Sequence, residues 1–309
     1  MIHFYGGTHA GHRQHNEDCF AVDNTLGLAL VADGMGGYAC GEVASALARE
    51  TLIDALIHHQ GLTEAIVRAH YLIRAESEHD EEKKGMGTTI VAAKVEGCNY
   101  ELAWVGDSRA YLWDGALKQI TRDHSFVESL LSSGSISLEE ARQHPNRNLI
   151  TQAVGVATQE GLEVSVVSGR MSAGQQLLLC SDGLVDEVSD SDIASIMAMQ
   201  LEPEELVEVL IAKAFEQGGK DNITVVIGEA DANCSEPAEV PFVVCTTNLD
   251  GQSIRHALPE PAVPGEGVSI DADAEMSNNN KLGGGWQPIY WLWVLGPLII
   301  LLVLLLAIK

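Results

Sequence analysis

Short apolar segments and longer amphipathic segments alternate along the first 230 residues of the chain. An apolar run of about four to eight residues between turn residues is typical of a strand, and apolar positions three and four apart predict a helix. Strands are therefore predicted over residues 2–8, 19–22, 27–32, 88–94, 101–105, 110–113, 117–120, 162–167, 176–180 and 222–228. Helices are predicted over residues 42–58, 63–82, 126–144, 191–199 and 204–217.

The order of these elements indicates the fold class. Strands come in groups with pairs of helices between them, which differs from the regular strand–helix alternation of a parallel sheet. The sequence therefore predicts an α+β sandwich in which helix pairs cover antiparallel sheets. Hydrophobic residues make up 46% of the chain, which is enough for a sizeable core. Ser137-Leu-Glu-Glu140 resembles a capping box inside the segment 126–144.

The composition changes twice towards the C-terminus. Residues 231–285 are rich in Pro, Asp, Glu, Asn and Gly and predict a flexible linker, in which residues 240–247 resemble a short strand without an assigned partner. Residues 286–309 combine an uncharged apolar run with a cluster of aromatic residues at one end, which predicts a transmembrane helix. These features predict a single-pass protein of the cytoplasmic membrane, with residues 1–230 as a globular domain in the cytoplasm.

The cysteines predict a reducing environment. The six residues contain no C-x-x-C pair and are scattered along the chain, so they are expected to be buried thiols and not a disulfide framework.

The net charge excludes one class of function and sets a condition on another. The chain has 44 acidic and 18 basic residues, a formal net charge of −26. This charge repels phosphate backbones, so no nucleic-acid partner is expected. An acidic protein that binds an anionic substrate needs cations to offset the repulsion, and metal ions commonly supply them.

Four aspartates share a position relative to the predicted strands. Asp33, Asp107 and Asp182 each follow an apolar strand, and Asp221 precedes one. Strand ends are rigid, so carboxylates there can converge, and hard divalent ions prefer oxygen ligands. The pattern predicts a Mg²⁺ or Mn²⁺ site, although a single Asp-Gly pair more often marks a turn.

The N-terminal segment adds a cation next to two acids. Arg13 stands shortly before Glu17 and Asp18, and an arginine beside a metal site is suited to bind two oxygens of a phosphate. His9, His12 and His15 recur every third residue, but their Gly-containing context does not predict a helix, so no zinc site on one helix face follows.

Several motifs follow one another in the order found in a known family. The sequence resembles the bacterial metal-dependent protein phosphatases, the type 2C serine/threonine phosphatases, over residues 5–228. The motifs are Gly11-x-Arg13-x-x-Asn16-Glu17-Asp18, Val31-Ala-Asp33-Gly34-Met-Gly-Gly37 with Gly41-Glu-x-Ala-Ser45, Gly87-Thr88-Thr89, Val105-Gly-Asp107-Ser-Arg109-Ala-Tyr111, Thr121-x-Asp123-His124-Ser125, His144-Pro-x-Arg147-Asn148, Ala153-x-Gly155, Ser181-Asp182-Gly183-Leu184 and Lys220-Asp221-Asn222-Ile-Thr224.

The resemblance implies a fold and a pair of core ions. The family has two antiparallel sheets packed face to face between helix pairs, a four-layer α-β-β-α sandwich. By resemblance, Asp33 bridges two Mn²⁺ or Mg²⁺ ions. Asp182 and Asp221 complete the ligands of one ion, and the carbonyl of Gly34 serves the other.

Further roles follow from the same resemblance. Glu17 and Asp18 act near the ions, partly through bound water, and Arg13 holds the substrate phosphate. Asp107, together with Asp182, matches the position of a third, weaker ion. Residues 125–155 match a mobile flap beside the site.

The expected reaction is hydrolysis of phosphoserine and phosphothreonine in proteins. A hydroxide bridging the two ions attacks phosphorus in line, and no phosphoenzyme forms. The family places a histidine near the Asp-Gly pair, but this chain has Met35 and Tyr38 there. A metal-bound water is therefore the first candidate for the general acid, and His124 is the second.

Two other functions stay open at this stage. One is a pseudophosphatase that binds phosphoproteins without turnover, and the other is a membrane-tethered scaffold that acts through residues 231–285. The presence of Asp33, Asp182 and Asp221 favours the enzyme. Phosphorylated proteins are its expected partners, together with a serine/threonine kinase that it opposes.

Overall fold

All strand pairs described in the computed structural model are antiparallel, and the strands form two sheets. The structure describes residues 1–36, 40–156, 161–199, 201–234, 243–248 and 253–256. They belong to one unit that runs from Met1 to Glu260. The first sheet consists of β1 (Ile2–His9), β7 (Arg109–Trp113), β8 (Leu117–Gln119), β10 (Gln176–Cys180) and β11 (Ile223–Ala230), in the order β1-β11-β10-β7-β8.

The second sheet has eight strands. They are β2 (Asp18–Asp23), β3 (Leu28–Met35), β4 (Gly87–Thr88), β5 (Ile90–Glu96), β6 (Asn99–Val105), β9 (Glu163–Arg170), β12 (Val243–Asn248) and β13 (Ser253–His256). Their order is β13-β12-β9-β6-β5-β3-β2, and β4 pairs with β3 outside this path.

Helices cover both sheets. The helices are α1 (Cys40–Ile57), α2 (Leu62–His79), α3 (Phe126–Ser132), α4 (Leu138–Arg142), α5 (Asp182–Val185), α6 (Asp190–Met197) and α7 (Pro203–Gln217). Helices α1 and α2 bury apolar side chains against the second sheet, and α6 and α7 do so against the first. A third apolar cluster fills the space between the sheets. The predicted four-layer α+β sandwich is confirmed.

Strand β3 shows why the sequence pattern takes this form. Leu28 and Leu30 point to the helices, whereas Ala29 and Val31 point to the other sheet, and all four side chains are fully buried. A strand covered on both faces reads as a continuous apolar run and not as an alternation. Such a strand holds its last residues in a fixed position.

The segment 126–144 contains two short helices where the sequence predicts one helical region. The chain breaks between α3 and α4 near Gly134, whose φ of 69° is in the left-handed region that favours glycine. The predicted capping box is present, because Ser137 Oγ accepts from the backbone N of Glu140 and Ser137 N donates to the Glu140 carboxylate at 2.8 Å.

Two strands lie within the stretch that the sequence suggests as a linker. Strand β12 pairs with β9, and Val243 stands opposite Ser168, so the strand suggested over residues 240–247 has a partner that the sequence did not reveal. Strand β13 pairs with β12. The boundary at residue 230 stays a prediction, and the rest of residues 235–285 lies outside the described ranges.

The expectation that the cysteines are all thiols is wrong for one pair. Cys98, in the β5–β6 turn, forms a disulfide with Cys234, and the two Cα atoms are 5.5 Å apart. The two residues are separated by 136 positions in the sequence, so they come together only in the folded chain. Cys19, Cys40 and Cys180 are buried and take no part in a disulfide.

The predicted location in the cytoplasmic membrane needs correction. In the part of the chain that the structure describes, no helix has both the length and the apolar character needed to cross a bilayer. The predicted transmembrane helix, residues 286–309, lies outside the described residues. The described residues thus give no support to the predicted single-pass location in the cytoplasmic membrane.

Candidate metal centre

Five aspartates come together from the strand ends of both sheets. Asp18 begins β2 and stands opposite Asp33 of β3 in the antiparallel register. Asp107 lies in the turn between β6 and β7, Asp182 begins α5 directly after β10, and Asp221 lies just before β11. The structure thus brings residues that are far apart in sequence to one place.

The carboxylates interact electrostatically. Asp33 shares a hydrogen bond with Asp182, and the charges of Asp18, Asp182 and Asp107 all act on Asp33. The charge of Asp221 acts on both Asp18 and Asp182. The predicted convergence of the aspartates is therefore present in the fold.

Burial disfavours the charged form of four of these groups. It raises the pKa of Asp18 to about 7, that of Asp182 to about 6 and that of Asp107 to about 8, with a further increase from neighbouring carboxylates. The pKa of Asp33 is raised well above its usual range, first by burial and then by Asp18. Asp33 and Asp107 therefore hold protons near neutral pH, and Asp18 does so in part, unless a cation takes the place of the protons.

Two hydroxyl groups hold Asp18. Ser181 Oγ and Thr224 Oγ1 donate to Asp18 Oδ2 at 2.7 and 2.6 Å, and all three side chains are buried. Ser181 and Thr224 lie within two of the sequence motifs, but no role was predicted for them. The only sign of this contact in the sequence is that each hydroxyl residue lies close to a predicted ligand: Ser181 precedes Asp182, and Thr224 follows Asp221 by three residues.

Asn222 fixes the loop that carries Arg13 and Glu17. Its Nδ2 donates to the carbonyl oxygens of Ala10 and His15 at 2.9 and 3.0 Å, and its Oδ1 accepts from Glu17 N at 2.8 Å. Asn222 is buried, so all three bonds are shielded from water. Nothing in the sequence pattern indicated this role.

The backbone of Asp33 is held by the Gly87-Thr88-Thr89 motif. The carbonyl of Asp33 accepts from Thr89 N at 2.8 Å and from Thr88 Oγ1 at 2.9 Å. Thr89 Oγ1 accepts from Asp33 N at 3.2 Å. These bonds fix the end of β3, and this role was also missed.

Gly34 makes a close backbone contact. Its N donates to the carbonyl of Glu17 at 3.1 Å, and that carbonyl also accepts from Ser45 Oγ at 2.7 Å. A Cβ atom at Gly34 would collide with the carbonyl oxygens of Gly41 and Glu17. The position therefore requires glycine for lack of space.

Arg13 lies at the surface edge of the cluster. Its Nη2 donates to Asp221 Oδ2 at 2.7 Å and its Nε donates to the carbonyl of Lys220 at 2.9 Å. The Arg13 side chain is 55% exposed, and that of Asp221 is 41% exposed. The guanidinium is thus placed beside the carboxylates and remains open to solvent.

His124 does not suit the role of a proton donor. Its Nδ1 accepts from Gly106 N at 3.2 Å, and its Nε2 is 3.1 Å from Ser165 Oγ. Burial lowers the pKa of His124 to about 4, so the imidazole is neutral near pH 7. Its ring stacks against Trp104, which gives it a structural role.

The donor set fits divalent cations. Asp18 Oδ1 and Asp182 Oδ1 are buried and have no hydrogen-bond partner among the described residues. Unpaired buried carboxylate oxygens are costly, and a hard cation would satisfy them. Within the described ranges, no group of three or more His, Cys, Asp or Glu side chains is already arranged to hold a metal ion.

Comparison with known proteins agrees with this geometry. Residues 5–215 match the protein phosphatase 2C family. The chain belongs to that family. The serine/threonine phosphatase stp of Listeria monocytogenes is 39% identical over 235 residues, which cover 71% of this chain and 92% of the relative. The serine/threonine protein phosphatase PstP of Mycobacterium tuberculosis is 42% identical over 229 residues, 70% of this chain and 42% of the relative.

Solved structures show the same fold. The crystal structure of the catalytic domain of PstP in complex with two manganese ions matches with a TM-score of 0.66 and 36% identity, over 74% of this chain and 98% of that domain. The chain is a protein phosphatase 2C enzyme, a metal-dependent serine/threonine phosphatase. The predictions of enzyme class and of Mn²⁺ or Mg²⁺ as cofactor are confirmed.

Replacing Gly34 by Ala should damage the centre of this phosphatase. We expect the added methyl to lower the free energy of unfolding by about 1–3 kcal/mol, the usual effect of overpacking. We also expect at least a roughly tenfold loss of p-nitrophenyl phosphate turnover, because a small displacement of catalytic groups costs rate. Gly61→Ala is the matched control, since a Cβ there has no neighbour within 4 Å. Equal behaviour of the two variants would refute the packing argument.

Proposed function

We propose that this chain hydrolyses phosphoserine and phosphothreonine in proteins, with the five aspartates holding divalent ions and Arg13 holding the phosphate. The observation that carries the proposal is the buried set of carboxylates with two unpartnered oxygens, next to a half-exposed guanidinium. A cluster of this kind has little structural value of its own, because like charges in a protein interior repel one another. Bound cations turn the same arrangement into a site for an anion.

Asp33, at the centre of the electrostatic contacts, would contribute to holding both core ions. Asp182 and Asp221 would complete the ligands of one ion, and the carbonyl of Gly34 would serve the other. Asp107 and Asp182 together would hold a third, weaker ion, and the effect of the Asp182 charge on Asp107 supports this pairing.

Glu17 and Asp18 would act near the ions, partly through bound water. One oxygen of Asp18 is occupied by Ser181 and Thr224, so the other, Oδ1, is left to face the ions. When bound, the divalent ions lower the pKa of a coordinated water and offset charge on the phosphate oxygens.

Arg13 orients the phosphate. In the structure its Nη2 contacts Asp221, and its exposed side chain can exchange this contact for phosphate oxygens. A guanidinium binds two oxygens at once and so fixes orientation as well as position. We further propose that a serine/threonine kinase supplies the phosphoproteins on which the chain acts.

Arg13→Ala should separate phosphate binding from metal binding. We expect kcat/KM for a phosphothreonine peptide to fall by about 10- to 100-fold, the scale of a charge-assisted hydrogen bond. Mn²⁺ affinity should be kept, because Asp221 loses a competing cation. Arg74→Ala, which removes an exposed arginine paired with Glu78 on α2, is the control. An unchanged kcat/KM in Arg13→Ala would remove Arg13 from the substrate site.

A further inference from the structure

A cavity of about 450 Å³ lies beside the metal centre. Helices α3 and α4 form one wall, and the connection between α5 and α6 forms the opposite wall. A smaller recess of about 40 Å³ contains Asp107 and Asp182 and shares six lining residues with the larger cavity. A polypeptide held at the metal centre can therefore extend directly into this cavity.

The acidic residues that line the cavity already have partners. Each one forms an ion pair or accepts a hydrogen bond within the protein. The pairs are Asp123 with Arg109, Glu128 with Arg122, Glu187 with Lys220, Asp186 with Asn148 and Asp190 with Tyr111. Their charge is thus largely compensated before any ligand arrives.

Two of the three arginines that line the cavity differ in this respect. The guanidinium groups of Arg142 and Arg147 form no hydrogen bond or ion pair with any residue that the structure describes. The other arginines with described side chains are each engaged: Arg13, Arg49, Arg68, Arg74, Arg109, Arg122 and Arg170. In a chain with a net charge of −26, two unpaired arginines at one cavity are a local source of positive charge.

The same cavity has an apolar side. Val127, Ala141 and Val188 are buried in its walls, and Leu131 lines it as well. Leu138 belongs to the lining and is 61% exposed, although leucine side chains are usually buried. An aliphatic side chain of a ligand would cover this exposed leucine.

We propose that this cavity selects the substrate by binding the segment of the phosphoprotein next to the phosphorylated residue. The selected segment carries a second anionic group, which Arg142 and Arg147 bind, and an aliphatic side chain, which packs on Leu138. The anionic group is the carboxylate of an acidic residue or a second phosphate, which present the same oxygen chemistry to a guanidinium. This inference rests on the proposed function, since it concerns the selectivity of the same site.

The overall charge of the protein gives this selection a physical reason. A strongly acidic protein repels acidic polypeptides, so a generic surface would favour basic segments around the phosphate. Two arginines without partners among the described residues reverse this preference at one place. The interaction would be sensitive to salt, because both arginines are exposed.

The test is a set of phosphothreonine peptides that share one leucine and differ in one neighbour. In each peptide the varied residue is Glu, a second phosphothreonine or Gln. It is placed in turn at each position within about four residues of the phosphothreonine that is hydrolysed, a reach of roughly 14 Å. We expect kcat/KM to be about 5- to 20-fold higher for the best anionic peptide than for its Gln counterpart. The Glu and phosphothreonine peptides show which source of negative charge the cavity prefers.

Reversing the charge of Arg142 tests whether this cavity causes the preference for the anionic peptide. In Arg142→Glu the ratio of anionic to Gln peptide should fall to about one or below, and Arg142→Lys should keep part of it. Arg74→Glu, which changes the net charge equally on α2, should leave the ratio unchanged. Thermal unfolding of each variant checks that the fold is kept, and the ratio is compared only among folded variants.

Two results would overturn the proposal. One is equal kcat/KM for the anionic and Gln peptides in the unmodified chain at every position tested. The other is an equal fall of the ratio in Arg74→Glu and Arg142→Glu, which would show an effect of net charge alone. Mn²⁺-dependent turnover of p-nitrophenyl phosphate in the unmodified chain shows separately whether the proposed function itself holds.

Discussion

Asp33→Asn should reduce turnover of a phosphothreonine peptide by about a thousandfold or more, equivalent to roughly 4 kcal/mol of transition-state stabilisation. Asp33 lies at the centre of the carboxylate contacts and shares a hydrogen bond with Asp182. The amide has nearly the same shape but lacks the charge that a shared cation ligand needs. Steady-state kinetics at increasing Mn²⁺ concentrations measure the effect.

The same substitution should stabilise the metal-free protein. The pKa of Asp33 is raised well above its usual range by burial, so its charged form is unfavourable in the folded chain. An asparagine is neutral without taking up a proton, so folding no longer has to protonate this side chain, and the free energy of unfolding in chelator should rise while turnover is lost. Asp114→Asn, at a hydrogen-bonded aspartate in an exposed turn, is the control and should change neither quantity. Wild-type turnover of Asp33→Asn at saturating Mn²⁺ would contradict this assignment.

In chelator, the protein should lose stability as the pH rises from about 5 to about 8. Folding raises the pKa of Asp182 to about 6, of Asp18 to about 7 and of Asp107 to about 8, whereas in the unfolded chain each lies near 4. Over this range the folded state binds more protons than the unfolded state, so the free energy of unfolding decreases with pH. The expected total is on the order of several kcal/mol.

Chemical denaturation at a series of pH values measures this slope. Saturating Mn²⁺ should flatten or reverse it, because the ions replace the protons on the same oxygens. Asp33→Asn should reduce the slope in chelator, since it removes one of the repelling carboxylates. A metal-free protein that becomes more stable between pH 5 and 8 would show that the aspartates are not buried together.

The layer arrangement and the main site residues could be predicted from the sequence for clear physical reasons. Strands buried on both faces, such as β3, produce continuous apolar runs that are easy to recognise. Asp33 and Asp182 follow such runs directly, which places them at rigid ends. Their predicted proximity required only that the two sheets pack face to face.

The supporting contacts could not be predicted in the same way. Asn222 binds the loop around His15 across 207 residues, and Thr224 binds Asp18 across 206. Such contacts depend on the pairing of β1 with β11, which carries no local signal. The disulfide between Cys98 and Cys234 was missed because the two cysteines are 136 positions apart, and the β5–β6 turn meets the segment after β11 only in the folded chain.

The central claim is that the carboxylate cluster binds divalent ions and that these ions enable phosphate hydrolysis. The most direct test measures bound Mn²⁺ per chain and turnover of a phosphothreonine peptide in the same metal titration. We predict that turnover is absent in excess chelator, rises together with Mn²⁺ binding and is lost again when chelator is added. Full turnover in chelator, with no Mn²⁺ bound to the chain, would contradict the claim.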